Sequence, residues 1–163
     1  MKLTADNAME LAWSAAEAAG RAILDCVAAK DSPETKDDGS PVTAADRAAE
    51  AAALERLSGA PIVSEEAAAA GKADEIADAE LFWLVDPLDG TKEFIAGRDG
   101  YTVNVALVGR EGPIVGVLHV PARGLTYAGA PGGPAFRAGP DGVPNPLSRG
   151  AHRDPPILAC SRN

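Results

Sequence analysis

Near the middle of the chain Leu81-Phe82-Trp83-Leu84-Val85 runs straight into Asp86-Pro87-Leu88-Asp89-Gly90-Thr91. Five apolar residues closed by Pro and Gly read as a buried strand that ends in a turn. Two carboxylates where a buried strand ends cost desolvation energy unless something positive lies between them. A divalent cation is the simplest such object, and hard cations such as Mg²⁺ take carboxylate and carbonyl oxygens. The competing reading makes Asp86 and Asp89 the shapers of an Asx-type turn cornered at Asp89-Gly90. A single Asp-Pro or Asp-Gly would favour the turn; the whole string favours the cation.

At 163 residues the chain fits one domain with a core that needs no disulfides. Cys26 and Cys160 show no metal-ligand spacing, and a reduced, cytoplasmic setting is the simplest expectation. Met1 to Asp6 lacks a basic start followed by an apolar core, so no signal peptide is expected. No apolar run reaches membrane-spanning length. A formal charge of −9 argues against a partner made of nucleic acid, which is met with Lys and Arg. A small phosphorylated ligand stays compatible with that charge if bound metal ions invert the local field.

Taken in order, Thr4 to Ala29 reads as an amphipathic helix, with Thr4 as N-cap and Ala8, Ala12, Ala15, Ala19, Ile23 and Cys26 at helical spacing. Lys30 to Val42 reads as a polar loop. A second helix is expected from Thr43 to about Ser58, closed by Gly59, with Asp46 in its first turn where the helix dipole favours an acid. On spacing alone Asp46 is a cap residue. Pro61-Ile62-Val63 is a short strand delivering Ser64-Glu65-Glu66, which also reads as a helix start capped by Ser64. Gly71 to Glu80 is a polar connector.

Beyond the central motif a short helix opens at Thr91. Strands at 101–108 and 113–120 form a hairpin around Arg110-Glu111-Gly112, and 125–130 and 135–137 are further strands. His119, inside a strand and far from other ligand types, is expected to be structural, and His152 solvated. Ala138 to Pro156 reads as a connector. Ile157 to Asn163 reads as the start of another strand, which divides the chain into a domain at 1–156 and the opening of a second at 157–163.

Glu65 and the Asp86/Asp89 pair each follow a short strand. Parallel neighbouring strands would bring all three carboxylates to one edge of a sheet, and without compensation at least one pKa would rise. With Mg²⁺ such a cluster suits phosphoryl transfer, in which the metal activates water. Gly90 and Thr91 at a helix start offer N–H groups to a phosphate oxygen, and the Thr91 hydroxyl can hold the attacking water. No Ser or Cys nucleophile with a partner base is evident.

Asp86-Pro87-Leu88-Asp89-Gly90-Thr91, with Ser64-Glu65-Glu66 and Pro41-Val42-Thr43-Ala44-Ala45-Asp46 before it, resembles the Mg²⁺-dependent, lithium-sensitive phosphatases of the inositol monophosphatase superfamily. The continuation Lys92-Glu93-Phe94 is similar to the 3′(2′),5′-bisphosphate nucleotidase branch, which serves sulfur assimilation. The resemblance implies Glu65, Asp86, Asp89 and the Leu88 carbonyl as ligands of a site that holds two or more Mg²⁺ when complete. It implies catalytic roles for Glu65, for Thr91 and for Asp46 as the partner of Thr91, which revises the cap-only reading. Gly90, Thr91 and Ser161 would contact substrate; at Asn163 the sequence departs from the family's Ser-Arg-Ser/Thr-His pattern.

The implied fold is α+β, the N-terminal half of a layered α-β-α-β-α arrangement with two long helices on a largely antiparallel sheet. Family members continue into a second α/β domain with a Trp-Asp motif, which does not follow Phe94 here, so a sheet edge and a helical face are expected to lack cover. The implied activity is removal of the 3′-phosphate of 3′-phosphoadenosine 5′-phosphate to give AMP and phosphate. An inositol or sugar-phosphate phosphatase, or an inactive metal-binding module, stands beside it. The expected partner is a small phosphorylated nucleotide, with no nucleic acid polymer and no membrane; a homo-oligomer is left open.

Overall fold

The computed structural model describes residues 3–29, 34–35, 41–42, 44–65, 68 and 79–148. Helix α1 (Ala5–Ala29) begins where Thr4 and Asn7 cap each other, Thr4 N–H donating to Asn7 Oδ1 at 2.7 Å and Asn7 N–H to Thr4 Oγ1 at 3.4 Å. The reciprocal pair satisfies N–H groups that a helix start leaves without partners. Strands β1 (Glu34–Thr35) and β2 (Pro41–Val42) form a small antiparallel ladder inside the segment expected to be loop. Helix α2 (Ala44–Leu54) stops short of Ser58. Its last turn tightens through Arg56 N–H to the Ala53 carbonyl (3.1 Å), while Gly59 takes its left-handed φ of 84° outside the helix. The expected pair of long helices is therefore one long and one of ordinary length.

Strands β3 (Ile62–Ser64), β4 (Leu81–Asp89), β5 (Thr102–Gly109), β6 (Gly112–Val120), β7 (Leu125–Gly129), β8 (Ala135–Ala138) and β9 (Pro144–Pro146) lie side by side in that order. Among the described strands of this sheet, β3 and β4 run parallel and the other neighbours antiparallel. The short helix α3 (Thr91–Ile95) follows β4, and one 3₁₀ turn at Pro121–Arg123 follows β6. Strand β9 corrects the reading of 138–156 as a connector. Pro-Asn-Pro can serve as a strand here because β9 is an edge, where a missing N–H breaks no inner ladder.

Helices α1 and α2 cover one face of the sheet, α1 over β5 and β6 and α2 over β4. Their contact is built from Ala8, Ala12, Ala15, Ala16 and Ala19 against Ala45, Ala49 and Ala53, all fully buried over Trp83, Val85, Val103, Val105 and Leu107. Trp83 is also tied by its indole N–H to the Ser58 carbonyl at 3.1 Å, which holds the α2–β3 connection down on the sheet. Cys26 is half-buried at the margin of this core.

The opposite sheet face has no helix among the described residues, and Leu84 and Leu118 stay 47% and 37% exposed on it. The uncovered surface is thus a face, whereas both edges are blunted, one by the brevity of β3 and the other by the prolines of β9. No described helix is long and apolar enough to cross a membrane.

His119 of β6 packs directly on Gly20 of α1, where an added β-carbon would fall 2.6 Å from Nε2. Its Nδ1 lies 2.9 Å from Thr126 Oγ1, a structural role that matches the sequence reading. Burial pushes the imidazole pKa below its ordinary 6.5, Glu17 and the Leu125 backbone opposing this and Arg21 reinforcing it. A depressed pKa leaves stability intact above pH 6.5 and removes it as pH falls from there through the folded value. Thermal melts from pH 7.5 to 5.0 should show a steeper acid loss in the parent than in His119→Gln. Gly20→Ala should cost about 1–3 kcal/mol through overpacking, and an unchanged melting midpoint would contradict that packing.

Candidate functional site

The parallel β3–β4 pair sets Ser64 opposite Val85, so Glu65 and Asp86 each follow a residue of that last matched pair. On its other side β4 pairs with β5, Asp86 opposite Asn104 and Asp89 opposite Thr102. Two residues, Pro87 and Leu88, thus oppose the single Val103. Strict alternation would send side chains three positions apart to opposite faces. This bulge restores parity, because Asn104 and Thr102 share a face, so Asp86 and Asp89 do as well. The Asn104 amide donating to Thr102 Oγ1 at 3.2 Å is a direct mark of that shared face. The strand therefore continues through Asp89 instead of ending at Asp86.

Gly90 then turns the chain into α3 with φ 90° and ψ 39°. An L side chain there would be strained, and its β-carbon would also sit 3.4 Å from the Tyr101 Cα. Phe94 meets Tyr101 edge to face, with ring centroids 5.4 Å apart, which pins α3 to the residue preceding β5. Behind it, Arg98 forks onto both oxygens of Glu93 at 3.0 and 2.9 Å.

Thr91 is held from two sides. Its hydroxyl lies 3.1 Å from Asp46 Oδ1 and 3.2 Å from the Leu88 carbonyl, so one proton is offered to two acceptors. Asp46, only 5% exposed, sits in the first turn of α2. Its helix-start position and its bond to Thr91 coexist. One turn further along α2, Glu50 accepts the hydroxyl proton of Ser64, the last residue of β3. Glu50 escaped the sequence reading, although its i+4 relation to Asp46 places it on the same helix face.

The electrostatic focus is Asp86. Its Oδ1 is buried without a hydrogen-bond partner among the described residues. Burial first, then the Glu65 and Asp89 carboxylates, push its pKa from 3.8 up to about 7; the Leu88 N–H opposes this and Asp46 adds to it. Negative charge thus converges from α2, β3 and β4 onto one buried oxygen. Glu65 itself is exposed. Among the described residues, no three His, Cys, Asp or Glu side chains are drawn together closely enough to hold a metal. Like-charged carboxylates with nothing positive between them repel, so proximity and an open spacing are compatible.

The structure thus groups Asp46, Glu65, Asp86, Leu88, Asp89, Gly90 and Thr91 at one end of the β3–β4 pair. Lys92 is exposed. Ser161, Glu66, Thr43, His152 and the segment 157–163 lie outside the described residues.

A family model described as the inositol monophosphatase family matches residues 4–160. A curated relative, 3′(2′),5′-bisphosphate nucleotidase CysQ of Salmonella typhimurium, is 44% identical over 101 residues, covering 60% of this chain and 40% of its own. The crystal structure of CysQ from Bacteroides thetaiotaomicron, described as a bacterial member of the inositol monophosphatase family, superimposes with a TM-score of 0.67. It is 38% identical and is matched over 82% of this chain and 49% of its own. The extragenic suppressor protein SuhB from Bartonella henselae gives 0.68 at 28% identity, over 79% of this chain and 51% of its own. The chain therefore spans 40% of that curated relative's length and 49–51% of the two solved structures. With the family model matched along nearly all of it, the chain belongs to the inositol monophosphatase family.

Proposed function

We propose that this chain carries the carboxylate side of a Mg²⁺-dependent phosphomonoesterase site whose substrate is a 3′(2′),5′-bisphosphate nucleotide. The reading gives 3′-phosphoadenosine 5′-phosphate as substrate and AMP and phosphate as products. The observation that carries it is the buried, unpartnered oxygen of Asp86, flanked by Glu65 and Asp89 beside the Thr91–Asp46 pair. A nucleotide rather than an inositol phosphate is favoured by the names of the curated relatives and by Lys92-Glu93 after the motif.

The donor set fits Mg²⁺: Glu65, Asp86, Asp89 and the Leu88 carbonyl are all hard oxygens. When bound, the ion supplies Lewis acidity, polarising a phosphoryl oxygen and acidifying water. The chain's own residues do the rest. Asp46 accepts the Thr91 proton, which turns the Thr91 oxygen lone pairs outward as the acceptor for a water proton. That orients the water for attack, and Asp46 provides a place for the proton to go. The N–H groups of Gly90 and Thr91 would serve as donors to a phosphoryl oxygen.

Phosphate release from 3′-phosphoadenosine 5′-phosphate should depend on Mg²⁺ and be inhibited by Li⁺. Asp86→Asn should cut the rate about 100-fold or more, since metal polarisation supplies several kcal/mol and each 1.4 kcal/mol is a factor of ten. An undiminished rate would remove the chemistry from this site. Faster release from inositol 1-phosphate would replace the nucleotide with a polyol phosphate, and Mg²⁺ binding without turnover would leave a metal-binding module. Thr91→Val should lose about 100-fold of the rate as water orientation goes, with Thr91→Ser recovering most of it.

The Asp86 pKa adds a stability prediction. A carboxyl raised to about 7 in the fold from 3.8 contributes stability that is fully present below 3.8 and lost as pH rises through 7. Without Mg²⁺, Asp86→Asn should therefore melt above the parent at pH 8, and the gap should narrow toward pH 5. A melting point below the parent's at pH 8 would show that Asp86 is not an electrostatic burden.

A further inference from the structure

Helix α2 reaches the site twice. Asp46 in its first turn takes the hydroxyl of Thr91, which follows Asp89 and Gly90. Glu50, one turn on, takes the hydroxyl of Ser64, which immediately precedes Glu65. Each carboxylate thus grips the residue beside one arm of the acidic cluster, and the two grips are four residues, about 6 Å, apart along the helix axis. Ser64 is 3% exposed and its backbone is paired to Val85, so the bond locks the end of β3 to α2 and β4 together. Glu65 is exposed and has no such hold of its own among its described contacts. Its placement toward Asp86 follows from Ser64.

We infer that Glu50 is a positioning residue for the cation site, setting Glu65 against Asp86 and Asp89 by accepting the Ser64 hydroxyl, without itself touching metal or substrate. The inference rests on the function proposed above. What it adds is that α2 works as a spacer between the β3 arm and the β4–α3 arm. The contribution of Glu50 lies in acceptor geometry rather than charge. Gln keeps a carbonyl acceptor at the same reach, whereas Ala keeps neither acceptor nor charge.

Mg²⁺ titration calorimetry on the 163-residue chain tests this apart from turnover. Glu50→Ala should weaken Mg²⁺ binding about tenfold, as loss of a partner that orients a ligand does, while Glu50→Gln should stay within about twofold of the parent. Ser64→Ala should match Glu50→Ala, and the double variant should be no weaker than either single one, because both remove the same bond. Ser64→Ala carries the test if Glu50→Ala fails to fold. Equal losses in Glu50→Gln and Glu50→Ala would assign the effect to charge and overturn the inference. Unchanged affinity in Glu50→Ala and Ser64→Ala, with Asp86→Asn abolishing binding, would overturn it while leaving the site intact. No Mg²⁺ binding by the parent would overturn both.

Discussion

Mutual repulsion of carboxylates is the constraint around which this fold is arranged. Acidic groups from α2, from the residue after β3 and from β4 are brought to one end of a strand pair, where burial first and then the Glu65 and Asp89 carboxylates push the Asp86 pKa up to about 7. Such an arrangement persists only if the backbone over-determines it. Here it does so three times. The parallel register of Ser64 with Val85 levels the β3 and β4 arms. The bulge at Pro87-Leu88 returns Asp89 to the face of Asp86. The left-handed Gly90 then directs Thr91 back toward Asp46.

The alanine-rich helices are part of the same solution. Ala45, Ala49 and Ala53 are fully buried between α1 and β4. Small side chains on that stripe let the helix approach the sheet closely, because no long residue holds them apart. Close approach is what allows the short side chain of Asp46 to reach Thr91 and that of Glu50 to reach Ser64. A bulkier stripe would improve burial per residue and withdraw both acceptors. The small alanine side chains therefore fix the reach of two polar side chains.

Much of this was legible from the sequence, and the rest failed for identifiable reasons. Apolar runs ending in acids placed β3 and β4, and the expectation that parallel neighbours would gather Glu65, Asp86 and Asp89 at one edge matches the pairing observed. The bulge was invisible because it is a property of two strands: nothing in Asp-Pro-Leu-Asp says that one residue of β5 opposes two. Strand β9 was hidden by its prolines, which exclude a central strand and permit an edge one. The early end of α2 at Leu54 reflects Trp83 anchoring the Ser58 carbonyl, a contact 25 positions apart. Glu50 carried a signal in its spacing from Asp46, but its partner Ser64 is 14 positions away and known only from the fold.

The same charge that suits the cluster to a cation makes a proton its rival. With its pKa pushed up to about 7, Asp86 takes up a proton far more readily than an ordinary carboxyl. A cation bound there would have to displace such a proton, since only the deprotonated carboxylate is a good hard ligand. Protonation relieves the repulsion among Glu65, Asp89 and Asp86, and occupation by a cation would relieve it more completely. The site is therefore poised between two ways of neutralising one buried oxygen. Asp46 stands apart from this competition: it holds the hydroxyl of Thr91 and contributes least of the groups acting on Asp86. The arrangement thereby separates the carboxylates that collect charge from the one that keeps a hydroxyl oriented.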